Sequence, residues 1–386
     1  MAVHPAAPYR VAYVIGELGK GGAEYQLHEL LRHLDRGIFV SRVFALTPGG
    51  WWAEPIRALG VPVVEIPRRS SADLTRLIRL RRALRAFGPH ILHTVLWSGN
   101  VYGRTASVGL GIPVRIAAER NVIRRPGWQV AVERLLDRAT DCYLVNCAAV
   151  ADELARHEGL PRRKMRVIPN GIDVARLPAF TLDRRPARIA AGLDPERRVV
   201  AQVGRLAAQK DHRTFLAAAA TIAGRLPDVD FLLVGAGEER VALEAEARRL
   251  GLGSRLRFTG QRDDVPALLG AVDVLTSTSL YEGFPNVVLE AMAAGAVAVG
   301  TDVGGCRELV VAGETGFLVP PRAPAAVAEA ALRVLTDGGL ARRLAQAARR
   351  RVESEFAVEA MAERTAAAYL ALLRDARARP AAVAAA

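Results

Sequence analysis

Short apolar runs recur through most of the chain, and each is followed by a turn and then by a stretch with helical spacing. In the first half the runs are 10–18, 41–47, 61–66, 90–96, 114–118, 142–147 and 165–168. In the second they are 199–203, 231–234, 256–259, 272–276 and 296–300. Continuous apolar strands that alternate with helices are the pattern of a parallel sheet covered on both faces. Between the two series, 176–188 is rich in Pro, Arg and Ala and has no periodicity, so it reads as a linker. A chain of 386 residues is also long for a single core. The expected architecture is α/β, with two doubly wound domains at 1–178 and 186–356. Helical stretches at 323–336, 341–356 and 358–374 close the chain, and the Ala-rich tail after Arg379 reads as disordered.

Composition narrows the function classes. No apolar run approaches the length of a membrane span, and residues 1–8 do not form a signal peptide. Cys142, Cys147 and Cys306 lack metal spacing and read as small buried thiols, as expected in a reducing cytoplasm. The net charge of +13 comes mostly from arginine. It fits nucleic acid, an anionic membrane surface or anionic substrates. No stacked aromatic platform or nucleic-acid motif accompanies it, so nucleic acid ranks last. The most basic segment is 68–87, where Leu74, Leu77, Ile78, Leu84 and Phe87 recur near helical spacing. Arginines at 76, 79, 81, 82 and 85 fill the gaps. It reads as a covering helix with a solvated arginine face, and contact with anionic lipid is its alternative.

The chemistry concentrates in loops that follow strands. The run Glu282-Gly283-Phe284-Pro285-Asn286 leads into an apolar helix that Gly295 should end. Glu282 then lies in the loop and Glu290 about two turns further on. Free N–H groups at the helix start suit a phosphate, and the two carboxylates suit hydroxyl-rich ligands. Gly204-Arg205 and Lys210 follow the run at 199–203, a cation pair suited to a diphosphate. Asp211 is expected to cap the next helix. Gly19-Lys20-Gly21-Gly22-Ala23-Glu24 forms a strand–glycine loop–helix element of the phosphate-cradling type, without a full dinucleotide fingerprint. Gly235 and Gly237 allow close backbone approach after 231–234. His93 and 97–100 stand at the carboxyl end of a strand, and so do Arg120 and Asn121.

E-G-F-P-N-V-V-L-E-A-M-A-A-G at 282–295 strongly resembles the signature of retaining glycosyltransferases of family 4. The chain also carries likenesses of that family's G-x-G-G-x-E loop (Gly21, Gly22), its G-R-L-x-x-x-K-G segment (Arg205, Lys210) and its N-G-x-D turn at 170–173. The resemblance spans most of the chain, from Val11 to Phe356. It implies the GT-B arrangement, two facing Rossmann-like domains with a cleft and a final helix, 358–374, packed back on the first domain. By this likeness Arg205 and Lys210 stabilise the leaving diphosphate in place of a metal ion, Glu282 holds the donor sugar and Glu290 the ribose. Gly283, Phe284, Pro285, Asn286, Gly235, Gly237, Gln261 and Arg262 complete the donor side, with Gly21 and Gly22 facing it. His93, Arg120 and Asn121 mark the acceptor side. Two departures stand out: Arg120 where many members have histidine, and Asp211 where the family usually has glycine. The implied reaction moves a sugar from a nucleotide-sugar donor to a hydroxyl of a glycan or lipid-linked acceptor, with no cofactor and no metal requirement. The expected location is cytoplasmic, at the inner face of a membrane if the arginine segment contacts lipid. A nucleotide-sugar epimerase or a non-catalytic binding protein of the same fold are the alternatives. A dinucleotide oxidoreductase is disfavoured by the incomplete glycine fingerprint.

Overall fold

The computed structural model describes residues 7–70, 73, 75–122, 124–177, 181 and 183–378. The chain forms two compact units, one running to Gly171 and resuming at Val358, the other Ile172–Ala357.

The first unit holds strands β1 (Tyr9–Ile15), β2 (Phe39–Ala45), β3 (Val63–Glu65), β4 (Ile91–Val95), β5 (Val114–Glu119), β6 (Cys142–Val145) and β7 (Met165–Val167). They form one parallel sheet in the order β3-β2-β1-β4-β5-β6-β7. Burial explains the apolar runs: Val11 to Ile15 and Ile91 to Val95 are buried without a break. Tyr13, Ile15, Ile91 and Ile116 pack into one core cluster, and Ala12, Val14, Phe44 and Leu92 into another. The terminal helix Val358–Ala378 contributes Val358, Met361, Ala362, Tyr369, Leu372 and Leu373 to the first of these. That spacing is a helical stripe, which is why a segment so distant in sequence belongs to this unit.

The arginine-rich segment departs from its expected role. In the helix Thr75–Phe87 the buried positions are Arg76, Leu80, Leu84 and Phe87, while Ile78 is exposed. Arg76 donates to the carbonyls of Leu46 and Ile66, Arg79 to Pro67 and Asp73, and Arg81 to Ala106 and Val108. Guanidinium groups that satisfy loop carbonyls stitch the helix to its neighbours, and only Arg82 and Arg85 of the five are exposed. Leu74 lies outside the described residues.

The second unit holds β8 (Arg198–Val203), β9 (Val229–Val234), β10 (Leu256–Gly260), β11 (Val274–Ser277), β12 (Val297–Thr301) and β13 (Gly316–Val319). These too form a parallel sheet, ordered β10-β9-β8-β11-β12-β13. The segment read as a linker is partly built into this unit. The helix Arg185–Ala190 follows Arg184, whose guanidinium bonds the Gly270 and Gly295 carbonyls, and Arg188 pairs with Asp273 at 2.6 Å. The three cysteines are buried and form no disulfide among the described residues. Among the described residues no helix is long and apolar enough to cross a membrane.

Candidate functional site

In an open parallel sheet the ligand crevice lies beyond the carboxyl ends of the strands, where strand order reverses. In the second unit that point is between β8 and β11, which pair directly (Ala201 with Leu275, Gln202 with Thr276). The turn after β8 carries Arg205 and Lys210, and the turn after β11 carries Glu282. Topology alone therefore brings the cations beside the carboxylate.

The two turns are joined by hydrogen bonds. Leu280 N–H donates to the Gln209 carbonyl at 2.8 Å, and Gln209 Nε2 to the Tyr281 carbonyl at 2.9 Å. Lys210 Nζ forms an ion pair with Glu282 Oε1, which also accepts from Ser279 Oγ at 2.6 Å. Glu282 and Ser279 are buried and Lys210 is half-buried. Arg205 is exposed, and among the described residues its guanidinium has no hydrogen-bond or ion-pair partner.

A buried polar cluster holds these turns in place. His212 Nε2 lies 2.9 Å from the Arg205 carbonyl and His212 Nδ1 lies 2.9 Å from Gln202 Nε2. A carbonyl only accepts, so Nε2 carries the proton and Nδ1 accepts from the glutamine. Burial lowers the pKa of His212, which keeps it in this neutral form. Thr278 Oγ1 accepts from Gln202 Nε2 at 2.9 Å and lies 2.9 Å from the Asp211 carbonyl. Asp211 adopts φ +43°, a left-handed conformation in which glycine is at ease and aspartate is among the better tolerated substitutes. It stands at the N-cap of the helix His212–Arg225, as expected, but its side chain takes the Thr214 hydroxyl at 2.7 Å and no backbone N–H.

Glu282 is buttressed from behind. Gly305 N–H donates to the Gly283 carbonyl at 2.7 Å, and a methyl group at Gly304 (φ +45°) would overlap the Glu282 carbonyl. The glycine pair is required for this backbone-on-backbone packing. Gly235 and Gly237 have a similar role: a methyl group on either would strike the backbone of the Gly204–Leu206 turn. They thus support the cation turn, whereas the sequence suggested close approach to a ligand. Phe284 is also internal, buried with its ring 5.6 Å from Phe356.

Pro285 is the N-cap of the helix Asn286–Ala294, and Gly295 ends it at φ +85°. Glu290 lies one turn in, about 6 Å along the axis from the first residue. Its surface is partly open, yet burial pushes the carboxyl up to about 7. Among the described residues no side chain bonds it. Arg262 forks onto Asp264 at 2.7 and 2.5 Å, and Gln261 is exposed.

The first unit has its own crevice, between β1 and β4. Gly21 is the N-cap of the helix Gly22–His33, and a methyl group there would overlap the carboxylate of Glu24. The chain's own acid thus sits at the helix start that Gly21 and Gly22 were expected to offer to phosphate. Burial, and then the charge of Glu17, hold the Glu24 carboxyl above its ordinary range. A cavity of about 740 Å³ opens here, lined by Glu17, Glu24, Arg68, Arg76, Trp97 and Tyr102 among others.

His93 does not reach this crevice. It lies mid-strand, is 2% exposed, and bonds the Tyr369 hydroxyl under the terminal helix. Burial, with the nearby charge of Arg120, lowers it to about 3, so it is neutral and internal. Arg120 donates to Asn170 Oδ1 at 2.6 Å and lines a small internal cavity with His93 and Asn146. The arginine at the usual histidine position thus ties strand β5 to the Asn-Gly turn. Asn121 is exposed.

Both halves of the chain resemble known proteins. The glycosyl transferases group 1 model matches residues 183–351 and the Glycosyltransferase Family 4 model matches 20–176. Alpha-maltose-1-phosphate synthase of Mycolicibacterium smegmatis is 30% identical over 378 residues, covering 90% of this chain and 95% of that protein. Glycogen synthase of Mycobacterium tuberculosis is 36% identical over 264 residues, 66% of this chain but only 62% of that enzyme's length. The crystal structure of Anabaena HepE with UDP and glucose superposes with a TM-score of 0.85 at 22% identity, covering 94% of this chain and all of that one, which shows the GT-B fold. Matched over both halves and along nearly the full length of a curated relative, the chain belongs to the group 1 glycosyltransferases of family 4.

Proposed function

We propose that this chain transfers a sugar from a nucleotide-sugar donor to a hydroxyl acceptor, with retention of the anomeric configuration and no metal ion. The observation that carries the reading is the junction of the two turns at the β8–β11 switch point, where Lys210 pairs with Glu282 beside the exposed Arg205. Breaking the bond between the anomeric carbon and the diphosphate places negative charge on the leaving oxygen. Arg205 and Lys210 offset that charge. The ammonium has three donors, so it can keep Glu282 and still serve a phosphate oxygen. Glu282, oriented by Lys210 and Ser279, accepts from hydroxyls of the donor sugar, and Glu290 accepts from the ribose. The acceptor oxygen bonds the anomeric carbon on the face the leaving group departs, and its proton passes to a donor phosphate oxygen.

The names of the two relatives and the UDP and glucose in the HepE structure support such a donor. The acceptor is a glycan or lipid-linked saccharide, and the reaction is cytoplasmic. Any contact with anionic lipid falls to Arg82 and Arg85, the exposed members of the arginine helix. The test is nucleotide release from a panel of nucleotide sugars with and without saccharide acceptors, the product anomer being read by NMR. Acceptor-dependent release with retention, unchanged in EDTA, supports the reading. Conversion of the donor without acceptor would establish an epimerase, and loss of turnover in EDTA would overturn the metal-free assignment.

A further inference from the structure

The cavity of the first unit is lined by groups of both signs. Glu17 and Glu24 come from the turn and helix after β1. Arg68 and Arg76 come from the loop and helix after β3, and both touch Tyr102. Arg68 Nη2 donates to the Tyr102 hydroxyl at 3.2 Å, and the Arg76 guanidinium lies over the Tyr102 ring, 4.8 Å from its centroid. Arg76 is buried and anchored on the Leu46 and Ile66 carbonyls, whereas Arg68 is exposed. Among the described residues neither has a carboxylate partner. The neighbouring Arg79 has Asp73 at 2.7 Å and Arg57 has Glu65 at 2.8 Å. Two uncompensated cations therefore flank one neutral phenol at a cavity wall. Tyr102 registers their field: burial alone would raise its pKa, but the bond and charge of Arg68, then Arg76, bring it below the ordinary tyrosine range.

We infer that this cavity takes a saccharide bearing an anionic group, a phosphate or a carboxylate, held by Arg68 and the Tyr102 hydroxyl. The inference rests on the transferase reading for its claim that this saccharide is the acceptor. The guanidinium fork matches either anion, and the phenol adds a donor. Glu17 and Glu24 repel an anion and accept from hydroxyls, so the anionic group belongs with the arginines and the sugar hydroxyls with the acids. Trp97, half-buried on the lining with the Arg125 guanidinium over its ring, adds apolar surface beside the sugar. A volume of about 740 Å³ falls within the usual span of small-molecule sites. A neutral saccharide would leave the cationic wall without a counter-charge.

The test is calorimetric titration of the full chain, without nucleotide, with glucose 1-phosphate, glucuronate and glucose. At least one anionic probe should bind tenfold or more tightly than glucose, and the phosphate and carboxylate arms identify which anion is taken. Arg68→Gln should weaken that binding at least tenfold. Should Arg68→Gln lower the melting temperature, Tyr102→Phe reads the same subsite and should weaken binding several-fold. Equal affinity for glucose, or no weakening in a folded Arg68 or Tyr102 variant, would overturn the inference. So would binding that falls with Lys210→Ala and survives Arg68→Gln, because the anion would then sit in the second unit. A parallel titration with UDP and GDP separates the two readings: its failure counts against the proposed donor site, not against this one.

Discussion

Replacing Lys210 by methionine keeps the unbranched stem of the side chain and removes its charged end, which separates two effects that the ion pair combines. The first is structural. Lys210 and Glu282 side chains are 23% and 9% exposed, and without the lysine the Glu282 carboxylate keeps, among the described residues, the Ser279 hydroxyl alone. A fully buried broken pair costs about 3–5 kcal/mol, and the partial exposure of Lys210 lowers the expected loss to about 2 kcal/mol. Adding Glu282→Gln removes the stranded charge and should restore most of that stability. The second effect is catalytic. A unit charge about 4 Å from a developing negative oxygen, at an effective dielectric near 20, contributes about 4 kcal/mol. Removal of one such transition-state donor typically lowers turnover by about two to three powers of ten. The double variant should therefore be stable and slow. Thermal melts and initial rates of nucleotide release at saturating donor and acceptor measure both quantities. Turnover within threefold of the parent in a folded Lys210→Met protein would refute the charge argument, and so would recovery of activity along with stability in the double variant.

Other expectations follow from the same geometry. Glu290 has a folded pKa of about 7 against roughly 4.3 unfolded, so the folded state binds more protons between those values and stability falls as pH rises through that window. Glu290→Gln should flatten that slope in melts taken from pH 4 to 8. If the ribose bonds the carboxylate, donor affinity by calorimetry should rise about tenfold between pH 6 and 8, and an unchanged slope in Glu290→Gln would contradict this. Gly304→Ala should displace the Glu282 turn and abolish most turnover. Gly313→Ala, with φ +81° but open space around it, should cost about 1–2 kcal/mol and spare the rate. Arg76→Gln should lower the melting temperature through the lost carbonyl bonds, whereas Arg82→Gln with Arg85→Gln should not. If the doubly substituted protein binds anionic vesicles as well as the parent, the lipid contact is wrong.

Sequence pattern reads best where a strand is buried on both faces. Parallel central strands are continuous apolar runs, so β1, β4, β8 and β11 were legible, whereas the four-residue edge strand β13, with Phe317 and Leu318 half-buried, was not read. The donor-side loops were legible because strand ends at a switch point concentrate Gly, Arg and Glu. Arginine misled twice: in 75–87 and at Arg184 and Arg188 it satisfies carbonyls or a half-buried acid, which spacing cannot distinguish from a solvated face. His93 misled because the sequence placed it near a strand end, and the register pairing Tyr13 with His93 sets it mid-strand beneath Tyr369. The support network of Gln202, His212 and Thr278 went unread. Its signal was a glutamine within an otherwise apolar strand, a buried polar group that must find partners.

In the proposed function, Arg205, Lys210, Glu282 and Glu290 surround one activated sugar. The direct measurement is a crystal structure of the protein with an intact nucleotide sugar, obtained with the slow Lys210→Met, Glu282→Gln variant and checked with the parent protein and nucleoside diphosphate. The diphosphate should lie within hydrogen-bonding distance of Arg205 and, in the parent, of Lys210, with the ribose on Glu290 and the sugar at position 282. A nucleotide seated elsewhere, or a ribose beyond the reach of Glu290 while the diphosphate lies on Arg205, would contradict it.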